Sequence, residues 1–211
     1  METRFHKLSF DNAIDILEHK KAIRDGLREK TSSNKNAKNA IEKYLATIGE
    51  NLNKIDEDYE RNYRNFYRLR SVPKKEYFGL LKSKKGSVEK VEYGEVEIVI
   101  NTLREPSGGK NHYSFSTKLL HTLNHDYPIY DSMVAKFFGL STSSMDLIKF
   151  KVFYEFLIKE YKDIGKNSSL KEVIKYLNDD EEIGKNFKKI STVKKIDFII
   201  WQYQKIIGKK P

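Results

Sequence analysis

Apolar side chains recur every three to four residues in segment after segment of this 211-residue chain. That spacing matches one face of an α-helix, with about 3.6 residues per turn, and it predicts an all-α fold. Phe10, Ile14 and Leu17, then Ile23 and Leu27, form the first such stripe, with Asp11 placed to cap it. A polar link, TSSNKNAKN at 31–39, precedes a second stripe of Ile41, Leu45, Ile48 and Leu52. Residues 57–70 put Tyr59, Tyr63, Phe66 and Arg70 on one helical line, and Ser71-Val72-Pro73 breaks it before the short helix KKEYFGLLK. The stretch 87–104 fits a helix through Val88, Val91, Val99 and Leu103, although EVEIVIN also alternates as a strand would; its helical neighbours favour helix. Long apolar patterns at Met145–Ile164, 168–177 and around Ile196–Trp201 complete the chain, with Trp201 expected as a core anchor.

Composition narrows the function classes. Hydrophobic residues make up 38% and aromatic residues 12%, enough for a core in one helical domain spanning 1–211, with approximate lobes 1–105 and 106–211. Cysteine is absent, so disulfides, thiol catalysis and cysteine-based zinc sites are excluded. The first twenty residues lack a signal peptide's apolar core, and no run approaches the ~18 apolar residues of a membrane span. The expectation is a soluble, cytoplasmic monomer. The net charge of +10 favours polyanions, DNA foremost among them.

The stretch YSFSTKLLHTLNHDYPIYDSMVAKFFG, Tyr113 to Gly139, bears most directly on function. Ser116–Asn124 reads as a short helix with Leu119, Leu120 and Leu123 turned inward. HDYPIY then runs extended, because the residue before a proline is pushed out of the helical region. Asp131 opens the next helix, whose apolar positions are Val134, Phe137 and Phe138, and Gly139 stops it. Six extended residues span roughly 20 Å, so the chain has the reach to double back and bring Asp131 level with Lys118. By itself an aspartate in this position is a helix cap, and by itself Lys118 is a solvated lysine.

The order of these elements resembles the helix-hairpin-helix DNA glycosylases, the superfamily of the endonuclease-three-like and 8-oxoguanine enzymes. SFSTKLLH matches their lysine-bearing hairpin helix and PIYDSMV their P-V-D-T-x-V-like segment. Ser114, Phe115 and Ser116 stand where that family has hairpin glycines, with Gly108 and Gly109 several residues upstream. The resemblance implies a two-lobed helical fold with a cleft, and a hairpin and catalytic segment over 106–139. It also implies base excision from DNA without a cofactor, with Asp131 as the catalytic carboxylate. Lys118 becomes the nucleophile if the enzyme is also an abasic-site lyase. Repair and attack on modified phage DNA are both open, as are two further readings: a non-catalytic helical DNA-binding module and a protein-interaction adaptor.

Three further groups are candidates. SGGKNHYS, with Gly108, Gly109, Lys110 and Ser114, offers a loop whose N–H groups could approach a phosphate, or an ordinary connector; Ser116 extends that DNA-facing set. Arg64 and Arg68 interleave with aromatics as a DNA-facing surface, or as the solvated side of a core helix. His121, His125 and Asp126 supply part of a metal site without a convincing third ligand.

Overall fold

The computed structural model describes residues 10–30, 38–140 and 145–208, and no strand occurs among them. The first helices are α1 (Phe10–Glu18), α2 (Lys20–Arg28), α3 (Ala40–Leu45), α4 (Glu57–Tyr67), α5 (Lys74–Ser83) and α6 (Tyr93–Arg104). There follow α7 (Tyr113–Leu123), α8 (Ser132–Phe137), α9 (Leu147–Ile164), α10 (Ser168–Asn178), α11 (Gly184–Phe187) and α12 (Thr192–Ile207). Residues 31–37 of the polar link lie outside the described residues.

Several local expectations change. α1 already contains Asp11, so that residue lies inside the helix and not ahead of it. The stripe from Ile41 to Leu52 is not one helix: α3 ends at Leu45, and Gly49 at φ +63° turns the chain into a 3₁₀ segment, Gly49–Asn53. α4 stops at Tyr67, so Arg70 falls beyond it and the buried line is Tyr59, Tyr63 and Tyr67. The ambiguous stretch resolves as α6, and only 87–92 leads in as loop. α7 starts at Tyr113, earlier than expected. Trp201 is half-buried beneath the ammonium of Lys205, 4.5 Å from its ring; Ile196, Ile199 and Ile200 of α12 supply the core anchors in its place.

One apolar cluster runs through the whole described chain. α12 lies against α8 and α2, while α1 packs on α10, so the two ends of the sequence close on each other. α6 and α7 pack side by side across the Gly108–Gly109 turn, and α5 supports both. The α7–α8 connection is pinned at three points. The Tyr127 hydroxyl donates to the Lys90 carbonyl (2.6 Å), and the Tyr154 hydroxyl donates to the Pro128 carbonyl (2.7 Å). The third is Tyr130, whose N–H donates to Thr117 Oγ1 (3.0 Å). These bonds satisfy backbone that proline and burial leave without a helical partner, and they turn α8 back toward the middle of α7.

Candidate functional site

α7 is anchored through hydroxyls. Tyr63 of α4 and Tyr77 of α5 are joined at 3.0 Å; Tyr77 donates to the Phe115 carbonyl, and Tyr63 meets Thr122 Oγ1 at 2.9 Å. Thr122 in turn donates to the Lys118 carbonyl (2.8 Å). The backbone around Lys118 is therefore fixed from two sides.

The Lys118 side chain runs toward the end of α4, where its ammonium donates to the Tyr67 carbonyl (3.4 Å). It lies over the rings of Phe115 and Tyr67, at 5.6 and 5.9 Å. Burial lowers the pKa of this ammonium, since a charged group loses hydration there. Lys194 and Arg68 push the same way, while Asp131 and Asp197 oppose them.

Asp131 caps α8. Its Oδ1 accepts the N–H groups of both Met133 and Val134, each at 2.9 Å, satisfying two orphan donors of the first turn. Among the described residues no hydrogen bond to Oδ2 is recorded. The capping and catalytic readings of this residue are thus compatible, because the cap uses only one of its oxygens. Lys118 and Asp131 form no direct ion pair, yet each stands within the other's field.

The structure adds two residues the sequence reading passed over. Lys194 and Asp197, three apart in the first turns of α12, form an ion pair at 2.6 Å and are 3% and 6% exposed. Four rings surround the Lys194 ammonium: Phe198 at 4.4 Å, Tyr44 at 5.0 Å, Phe66 at 5.7 Å and Tyr67 at 6.0 Å. Burial raises the Asp197 carboxyl above the usual range, and Asp131 adds to the rise; Lys194 and Lys118 oppose it. The sequence signal was a lysine and an aspartate inside the apolar run VKKIDFII, which is unusual for a core-facing segment.

Two buried phenols in the field of Asp197 have no hydrogen-bond partner among the described residues. Tyr67 Oη and Tyr161 Oη are both buried and unbonded, in residues 5% and 3% exposed. The ionisation of Tyr161 feels both Asp197 and Asp131. Buried hydroxyls are ordinarily paired, and leaving one unpaired costs about 1–3 kcal/mol.

The end of α4 supplies positive charge. Arg68 caps the helix in the left-handed region (φ 54°), which sends Leu69 into the core and keeps Arg68 outside. Arg64, Asn65, Arg68, Leu69 and Arg70 line a recess of about 290 Å³. Within it Arg64 Nε is buried and unpaired. The tyrosine stripe of α4 is core, and Arg64 with the exposed Arg68 and Arg70 lines this recess on its outer side.

The glycine loop is a helix terminator and not a cradle. Gly108 and Gly109 take φ +64° and +83°, and their N–H groups donate back to the carbonyls of Glu105 and Arg104. Both donors are consumed in closing the helix end, so neither is available to an anion. Lys110 is exposed and Ser114 half-buried, while Ser116 is fully buried and cannot reach DNA.

His121 is likewise structural. Its Nδ1–H donates to the Tyr127 carbonyl (2.7 Å), which leaves Nε2 to accept from Tyr44 Oη (3.0 Å). Burial drives its pKa well down, so it stays neutral. His125 donates from Nδ1 to the His121 carbonyl (3.0 Å). Among the described residues no group of three His, Cys, Asp or Glu side chains is placed to hold a metal ion.

No protein-family model, curated protein or solved structure matches the chain.

Proposed function

We propose that the chain is a DNA glycosylase that removes a modified base, with an associated abasic-site lyase step. The observation that carries this reading is that the Lys118 ammonium lies within range of the Asp131 charge. A desolvated amine from α7 stands in the field of a carboxylate at the start of α8 whose capping bonds use Oδ1.

Cutting an N-glycosidic bond builds positive charge on the sugar, and the Asp131 carboxylate would stabilise it. Once neutral, the Lys118 amine attacks C1′ while the electrons of the glycosidic bond leave with the base. The nitrogen, having shed a proton, then opens the sugar ring: the C1′–O4′ bond breaks, O4′ takes up a proton, and a protonated imine forms. The imine acidifies the C2′ proton, so that its loss to water expels the 3′ phosphate by β-elimination. Partial burial keeps the amine available at lower pH than an ordinary lysine. The recess at the end of α4 is the anion-receiving surface of this reading. Arg64, Arg68 and Arg70 would receive the phosphates of a strand whose target nucleotide has left the stack.

The test is a borohydride trap on duplex DNA containing an abasic site, run on wild type, Lys118→Ala and Asp131→Asn. Wild type is expected to give a covalent adduct that Lys118→Ala loses. Absence of any adduct, together with no base release from oxidised, alkylated or hydroxymethylated duplexes, refutes the enzyme and leaves a binding module.

A further inference from the structure

An ion pair buried to this depth needs an explanation beyond stability. Removing two charges from water costs several kcal/mol each, and well-packed apolar side chains serve a core at least as well. α12 packs on α8, and the Lys194 ammonium shares the Tyr67 ring with the candidate amine, Lys194 at 6.0 Å and Lys118 at 5.9 Å from its centre. We propose that Lys194 and Asp197 are positioning residues, a fixed charge couple that governs when the Lys118 amine is free to react. The inference rests on the reading of Lys118 as the reacting group.

Geometry gives the couple its fixity. Both residues project from the first two turns of α12, beginning at a helix start capped by Ser191, whose Oγ accepts the Lys194 N–H (3.2 Å). The ammonium is enclosed by Tyr44, Phe66, Tyr67 and Phe198, so it has no freedom to swing toward solvent. Tyr44 is in turn held by His121, one helical turn after Lys118 on α7. The aromatic enclosure and the amine thus share one framework. Low local polarity makes each charge act strongly on its neighbours.

The groups facing Lys118 come from every element packed on it. Tyr67 and Arg68 belong to the end of α4, Asp131 to the start of α8, and Lys194 and Asp197 to α12. Asp197 in turn faces Lys194, Asp131, Lys118, Tyr44, Tyr67 and Tyr161. Of these, Arg68 is exposed and Asp131 serves as a cap, so the buried couple is the part of the field that solvent screens least. The two charges act on Lys118 in opposite senses: Lys194 disfavours its ammonium and Asp197 favours it. Removing one at a time therefore displaces the amine's titration in opposite directions, which loss of packing alone does not do.

The experiment follows the pH dependence of borohydride trapping on abasic-site DNA for wild type, Lys194→Gln, Asp197→Asn and Lys194→Arg. Competitive labelling of Lys118 by a small amine-acylating reagent is followed in parallel by mass spectrometry. The acid limb is expected to rise by about 1 pH unit in Lys194→Gln and to fall by a similar amount in Asp197→Asn. Lys194→Arg, which keeps the charge, is expected to keep the wild-type limb. Limbs that coincide in all folded variants overturn the inference, as does a limb displaced as far in Lys194→Arg as in Lys194→Gln. Should one neutral variant fail to fold, the other still supplies the deciding comparison with wild type. If wild type forms no adduct and releases no base but the labelling limbs move in opposite senses, the glycosylase reading fails and the charge couple stands.

Discussion

Thr117 and Tyr130, the residues immediately before Lys118 and Asp131, are bonded to each other: the Tyr130 N–H donates to Thr117 Oγ1 at 3.0 Å. The Thr117 hydroxyl donates in turn to the Ser114 carbonyl (3.1 Å) inside α7. Both Thr117 and Tyr130 are buried. One hydroxyl thereby sets the register between the helix carrying the amine and the helix start carrying the carboxylate. The relation of Lys118 to Asp131 is a consequence of this bond as much as of the reach of HDYPIY.

Replacing Thr117 by Val keeps the side chain's shape and leaves the buried Tyr130 N–H without an acceptor. The expected cost is about 1–3 kcal/mol in chemical denaturation. Trapping on abasic DNA should fall with it, and Thr117→Ser should restore both. Unchanged trapping in a folded Thr117→Val protein would show that the clamp does not set the pair.

Asp131 separates capping from chemistry by choice of substituent. Asparagine still accepts the Met133 and Val134 N–H groups, so Asp131→Asn should melt within about 0.5 kcal/mol of wild type. Its base-release rate should drop about 10²–10³-fold, the scale of removing one electrostatic stabiliser. Asp131→Ala should lose the cap as well, at about 1 kcal/mol. Equal rates for Asp131→Asn and wild type would reduce Asp131 to a cap.

Lys118 carries a pH signature in stability. Burial lowers its folded-state pKa below the ordinary 10.5, so the unfolded chain holds the proton more tightly. Stability from this residue is therefore present above 10.5 and is lost as pH falls through the lowered folded value. Lys118→Met removes that dependence. Its stability relative to wild type should be greatest at neutral pH and should decline as pH rises toward the ordinary lysine range. Unfolding curves that keep a constant offset across this range would contradict the desolvated placement.

Arg64 and Arg68 should act as phosphate contacts. Each change to glutamine is expected to weaken DNA binding uniformly across sequences and to reduce the log–log salt slope by about 0.9. Fluorescence anisotropy over a salt series measures it. A slope unaffected in both variants would move the DNA path away from the α4 recess.

Legibility in the sequence followed the range of the forces involved. Helices were readable because an apolar stripe repeats locally, and α4, α5, α9, α10 and α12 lie close to where their patterns put them. The cap at Asp131 and the stop at Gly139, with φ +71°, are local signals of the same kind. The break after Leu45 was hidden, because Ile48 and Leu52 continue the spacing while Gly49 leaves the helical region. Gly108 and Gly109 were recognisable as a break, but which carbonyls their N–H groups would find was not.

The sequence by itself determined the helices, the lack of cysteine chemistry and the positive charge, all of which depend on residue type and short spacing. It also marked Lys118 and Asp131 as residues that one chain reversal could bring together. Only the tertiary structure decided that α12 would place Lys194 and Asp197 beside them, about 75 positions along the chain from Lys118, since packing sets long-range neighbours without leaving a period in the sequence. Packing likewise removed Ser116 from the surface and closed His121 between Tyr44 and Tyr127. Burial, which depends on every helix at once, made an ordinary lysine a desolvated amine.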